Sequence, residues 1–179
     1  MHGGAAVNQA MATDGATSLY IAANNGHAKV VDLLINGGAA VDLGCSGATP
    51  LFTAAQNGNT EVVSLLVNGG AAVNQAMTTN GATPLYMAAS NGHTEVVSLL
   101  VNGGAAVNQA MTTNGATPLF IAAKNGRAAV VVLLVDSGAD MNQARTFDGA
   151  TPLEAAIRSR HAEVAGLLTQ AGATGGQLY

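Results

Sequence analysis

The sequence has no tryptophan, a single cysteine and only 3% aromatic residues. Charge is scarce as well: 9% of the 179 residues are charged, against about 25% in a typical soluble domain. Disordered chains pair low hydrophobicity with high charge. Here 49% of the residues are hydrophobic, the opposite balance, and a folded chain is expected. Long apolar runs are also missing. The longest covers 128–135, eight residues, whereas a membrane-spanning helix needs about 20, so no membrane insertion is expected. No basic stretch followed by an apolar one reads as a signal peptide. Cys45 alone excludes an intramolecular disulfide, which fits a reducing, intracellular (cytoplasmic) compartment.

Positive charge is both rare and uneven. The formal net charge is −4, and five of the six basic residues lie at or beyond Lys124. Between residues 43 and 123 the only charged side chains are Glu61 and Glu95. Nucleic-acid binding draws its affinity from Lys and Arg neutralising phosphates, so no nucleic-acid partner is expected.

What the sequence has in abundance is itself. Gly-Ala-Thr-(Pro/Ser)-Leu begins at Gly15, Gly47, Gly81, Gly115 and Gly149, in steps of 32, 34, 34 and 34 residues, and 60–85 is identical to 94–119. Each unit carries a threonine suited to capping a helix (Thr17, Thr49, Thr83, Thr117, Thr151). In all but the first a proline follows, at the position where its missing N–H costs nothing. The third unit predicts a short helix over 84–90 ending at Asn91-Gly92, then a second from Thr94 with Val96, Val97, Leu99 and Leu100 on one face. An extended segment over 105–113 follows, with an Asn114-Gly115 turn that favours a tight hairpin. Helices of about two turns are marginal alone, so stability has to come from stacking one pair on the next. The expected fold is all-α: an α-solenoid of helix-turn-helix units joined by β-hairpin-like loops. Its divisions are a partial repeat at 1–14, units at 15–46, 47–80, 81–114, 115–148 and 149–173, and a tail at 174–179.

The segments Thr-Pro-Leu-Phe-Thr-Ala-Ala (49–55), Thr-Pro-Leu-Tyr-Met-Ala-Ala (83–89) and Thr-Pro-Leu-Phe-Ile-Ala-Ala (117–123) are each followed by Asn-Gly, an apolar helix and a Gly-Ala-(Ala/Asp)-(Val/Met)-Asn stop. This pattern resembles the ankyrin repeat, over roughly residues 3 to 173. The chain departs from the family where a histidine should follow Thr-Pro-Leu: it has Tyr20, Phe52, Tyr86, Phe120 and Glu154. The aromatics must replace that histidine's polar tie by packing, and Glu154 must do something else. The fifth unit differs most, with Arg160 where the others have glycine, and reads as a C-terminal cap. A missing N-terminal cap would leave Val30 and Leu33 partly uncovered.

No chemistry of catalysis stands out. His27, His93 and His161 share one repeat slot, so stacking sets them about 20 Å apart, too far to share a metal. Cys45 has no basic or imidazole neighbour in sequence. Lys29 and Lys124 follow no phosphate-binding glycine loop. Glu61 and Glu95 sit at helix starts, where acidic residues complement the dipole. The expectation is therefore a non-enzyme with no cofactor.

The resemblance implies a protein or peptide partner along the concave surface of hairpins and first helices. Two slots of the first helix vary while the frame hardly changes: Ile21, Thr53, Met87, Ile121 and Ala155 in one, Asn24, Gln56, Ser90, Lys124 and Arg158 in the other. Variation confined to exposed slots suits a binding surface on a fixed frame. Met77 and Met111 share a hairpin slot with Arg145. Methionine there either adapts to a partner or packs along neighbouring hairpins. The competing reading is a structural array that self-associates through its uncapped N-terminal end, or a synthetic or duplicated scaffold with no dedicated partner.

Overall fold

The computed structural model describes residues 7–12 and 15–175. Among them are ten helices: α1 (Ser18–Asn24), α2 (Ala28–Asn36), α3 (Pro50–Asn57), α4 (Thr60–Asn68), α5 (Pro84–Asn91), α6 (Thr94–Asn102), α7 (Pro118–Lys124), α8 (Ala128–Asp136), α9 (Pro152–Arg158) and α10 (Ala162–Gln170). They form five pairs. The odd-numbered helices stack in one row and the even-numbered helices in another, and each helix also packs against its pair mate.

The odd helices start where the sequence places them. In each, the capping threonine accepts a hydrogen bond from the backbone N–H three residues on, as in Thr83 with Tyr86 at 3.1 Å. α1 keeps this cap although Ser18 replaces the proline. In the fifth unit the cap is reciprocal: Glu154 accepts from the Thr151 N–H at 2.9 Å while its own N–H donates to the Thr151 hydroxyl. The residue expected to do something else therefore closes a capping box, and it is buried.

The main core runs the length of the stack. Leu19, Leu51, Leu85 and Leu119 from the odd row meet Leu66, Leu100, Leu134 and Leu168 from the even row, all essentially buried. A second, smaller core lies between hairpins and odd helices, where Phe52, Tyr86 and Phe120 line up with Ala48, Ala82, Ala116 and Ala150. Aromatic packing thus occupies the place where the resemblance implies a histidine tie.

Polar ties join the units. A helix C-terminus leaves carbonyls without an intrahelical partner, and here the following unit supplies donors to them. Asn57 donates to the Asn24 carbonyl at 2.9 Å, Asn91 to that of Gln56 at 2.7 Å, and Asn125 to that of Ser90 at 3.0 Å. Two residues on, Asn59 donates to the Ala23 carbonyl, the His93 ring meets that of Gln56, and Arg127 donates to that of Ser90. His93 is therefore a half-buried inter-unit contact.

The loops carry a second ladder. The backbone N–H groups of Ala40, Ala72, Ala106, Asp140 and Thr174 donate to the side chains of Asn8, Asp42, Asn74, Asn108 and Asn142 in the preceding loop, at 2.7 to 3.0 Å. Asn108→Ala removes the acceptor for Asp140 and is expected to cost about 0.5–1.5 kcal/mol in urea unfolding. Asn108→Asp keeps the acceptor, as Asp42 does, and is expected to stay close to the parent.

No strand is present among the described residues, only bridges at Ala10–Thr17 and Cys45–Ala48. The tight two-residue turn appears at Ser46-Gly47, both at positive φ, and leaves Cys45 half-buried. The Asn-Gly turns are wider. Met111 N–H donates to Ala116 and Gly115 N–H to Met111, enclosing a four-residue loop over 112–115. The Asn114 side chain instead accepts from the Ala116 N–H at 2.9 Å. That local bond holds asparagine out of the left-handed conformation a two-residue turn would demand.

Candidate partner-binding site

Positions four and seven of the odd helices lie three residues apart and so share one helical face. On it, Ile21 is 39% exposed, Met87 and Ile121 are half-buried, and Asn24, Gln56, Lys124 and Arg158 are exposed, with Ser90 half-buried. Thr53 departs from the expectation. It is buried, and its hydroxyl donates to Asn24 Oδ1 at 2.7 Å, so it braces the first two units and is out of a partner's reach. Asn24 and Ser90 are also partly committed to the frame, since their side-chain oxygens accept from Asn57 and Asn125.

Met77 and Met111 are half-buried against the aromatic row. They pack along the hairpins and still present one side to solvent. Arg145 occupies their slot in the last hairpin with different chemistry. Its guanidinium carbon lies 4.9 Å from the Phe120 ring centroid and 5.6 Å from that of Phe147. It also forms a bidentate pair with Asp148, at 3.0 Å through Nε and 2.6 Å through the terminal nitrogen. Arg158 approaches the same carboxylate at 3.4 Å. Arg145, Lys124 and Arg158 line one shallow cavity of about 80 Å³ floored by Phe120 and Ala155.

The titrations follow from these contacts. The hydrogen bond from Arg145 holds the Asp148 carboxyl down to about 2; loss of solvation opposes it, and the Ala150 N–H and the charges of both arginines add smaller lowering effects. The bond to Asp148 likewise raises the Arg145 pKa. Burial pushes the Tyr86 hydroxyl up, partly offset by Arg145. Because the Asp148 carboxyl is depressed in the folded state, its contribution is fully present above the unfolded value and fades as the pH falls from about 4 towards 2. Carboxyl-detected NMR is expected to place the Asp148 midpoint near 2. In Arg145→Met, which restores the residue of the earlier hairpins, the midpoint is expected to return towards the usual carboxylate range.

Other candidate groups remain apart. Among the described residues, no group of three or more His, Cys, Asp or Glu is placed to hold a metal ion. No helix among them is long and apolar enough to cross a membrane. The family model described as ankyrin repeats (3 copies) matches residues 1–77, 70–145 and 114–176.

The chain belongs to the ankyrin-repeat family. No curated protein matches it. Ankyrin repeats generally mediate protein–protein interaction, and the family is typically a non-enzymatic binding module. Within this ankyrin array, sequence reasoning missed two features. Glu154 as a capping partner was signalled by Thr-x-x-Glu. The ties made by Asn59, His93 and Arg127 were signalled only by a side-chain N–H recurring in one slot.

Proposed function

We infer that the array binds a protein or peptide along its hairpin and first-helix face, the concave side in this family. The observation that carries this reading is the distribution of side chains. The frame repeats almost unchanged, while Ile21, Met87, Ile121, Gln56, Lys124 and Arg158 stand at least partly open on one face, and neighbouring units differ there. Met77, Met111 and Arg145 border the same face from the hairpins. A display library of random peptides selected on the whole chain provides the test. Met87→Asp with Ile121→Asp is expected to weaken selected peptides at least tenfold while circular dichroism shows the array still folded at the assay temperature, and the milder Met87→Gln with Ile121→Thr is expected to weaken them in the same direction. Binding untouched by the pair would remove the reading.

Self-association is a second reading, favoured by one contrast. Val62, Val96, Val130 and Val164 are each 1% exposed, covered by the preceding unit, while Val30 in the same slot of α2 is 46% exposed and Leu33 beside it 72%. This face is the uncovered counterpart of an interface built four times within the chain. Leu33→Glu is expected to suppress concentration-dependent growth in light scattering. If the parent stays monomeric at high concentration, self-association is discarded.

A further inference from the structure

The last hairpin departs from the two before it at three neighbouring positions. Where units two and three lead into their successors through Met-Thr-Thr-Asn-Gly (77–81 and 111–115), the fourth uses Arg145-Thr146-Phe147-Asp148-Gly149. Two further departures occur beside it. The exposed first-helix slot that holds Asn24, Gln56 and Ser90 becomes Lys124 and Arg158. The fold brings these residues together: Lys124, Arg145 and Arg158 line one cavity, and Asp148 joins the two arginines.

The frame does not require these changes. Asn80 and Asn114 make the same turn that Asp148 makes, accepting from the alanine N–H two residues on at 2.9 Å, as Asp148 does at 3.1 Å. Methionine fills the Arg145 slot twice without loss of the aromatic row. Phe147 is 80% exposed, where Thr79 and Thr113 present small polar side chains. An aromatic ring that open gains little from the fold, and such rings are characteristic anchors at binding surfaces.

The charges are not balanced within the cluster. Two arginines share one carboxylate, and Lys124, in the same cavity, forms no ion pair with any described residue. Arg145 is already fixed by two hydrogen bonds and by the Phe120 ring. Lys124 and Arg158 therefore offer further donors in the cavity that holds this preset guanidinium. Asp148 in their midst disfavours a dianion more than a monoanion. So few cations on a chain of net charge −4 are a poor match for a polyphosphate backbone.

Resting on the partner-binding reading of this face, we propose that Lys124, Arg145 and Arg158 form a carboxylate pocket for a glutamate side chain within a bound peptide, with Phe147 packing against an apolar residue next to it. Asp148 is a positioning residue: it holds the guanidinium and tempers the local charge.

Peptides selected on the whole chain are the probe, resynthesised with acetylated and amidated ends so that a terminal carboxylate cannot stand in for the side chain. The enriched sequences are expected to share one Glu beside an aliphatic or aromatic residue. Changing that Glu to Gln is expected to weaken binding tenfold or more, the loss typical of a charge-assisted hydrogen bond. Lys124→Met with Arg158→Gln should erase the difference between the Glu and Gln peptides, and Asp148→Asn should tighten the Glu peptide severalfold. Equal binding of the Glu and Gln peptides overturns the pocket, as does a Glu preference that survives the double variant. Tighter binding of a phosphoserine peptide or a duplex RNA also overturns it. Neutral peptides that lose binding on Met87→Asp with Ile121→Asp would sink the pocket while leaving the binding face standing. Peptides indifferent to both sets of variants, or no enrichment at all, would sink both.

Discussion

Leu100→Ala is expected to cost about 2–5 kcal/mol, the range for truncating a fully buried leucine whose surroundings close only partly over the void. Leu100 has no exposed surface and sits in α6, which packs on α4, α8 and its own pair mate α5. Repeat arrays gain stability from each unit and from each interface between units. A cavity at the middle unit weakens the links on both sides of it. Urea unfolding followed by circular dichroism is expected to shift to lower denaturant and to lose its single sharp transition, as the two flanking pairs of units begin to melt independently. Leu168→Ala is the control. Leu168 is equally buried but belongs to α10, which has an even-row neighbour only at α8. Its truncation is expected to loosen the fifth unit first, which hydrogen exchange resolved by unit would show. Equal effects on every unit in both variants would contradict this view of the stack.

A lysine placed in one repeat slot at two sites should give a still wider contrast. Val62→Lys introduces a charge at a position 1% exposed with no carboxylate beside it in the core. Such a charge costs several kcal/mol if it stays ionised, enough to unfold the surrounding units. Val30→Lys places the same side chain at a position 46% exposed, where it reaches water along its own stem, and the expected change is within about 0.5 kcal/mol. Thermal melts of the two variants side by side check the prediction. Similar losses at both sites would mean that the α2 face is covered in solution, which is the outcome self-association predicts.

These contrasts also show what could be read from the residues alone. The capping threonines, the prolines behind them and the leucine and valine slots were legible because each acts within its own helix or at a fixed spacing along it. The same spacing placed Thr53 on the open face, and there it misled. Position on a helix does not reveal that Asn24, 29 residues earlier, will fold over a hydroxyl. His93 was opaque for a similar reason, since its partner is the Gln56 carbonyl, 37 residues earlier. The slot is nonetheless filled by an amide, an imidazole and a guanidinium in turn. What these share is an N–H, and that is the requirement an unsatisfied helix carbonyl imposes. The Asn-Gly turns were misjudged because asparagine's own side chain competes for the local N–H. In the candidate site, the basic character of the last units was visible from composition. The convergence of Lys124, Arg145 and Arg158 on one cavity, with Asp148 joining the two arginines, was not, because two of the four come from a hairpin and two from neighbouring odd-numbered helices.

The outer face of the fifth pair carries a consequence for growth. In the earlier units Gly26, Gly58, Gly92 and Gly126 leave room for a side chain of the following unit, which lies within 2.9 Å of where a Cβ would stand. In the fifth, Arg160 fills that room at φ 63. Ile157, 59% exposed, replaces alanines that are wholly enclosed in the units before it. A sixth pair seated there in the established register would run into both side chains. Copies joined tail to head in a tandem gene would read as one continuous sequence yet behave as separate blocks, each melting on its own, until alanine and glycine were restored at those two positions.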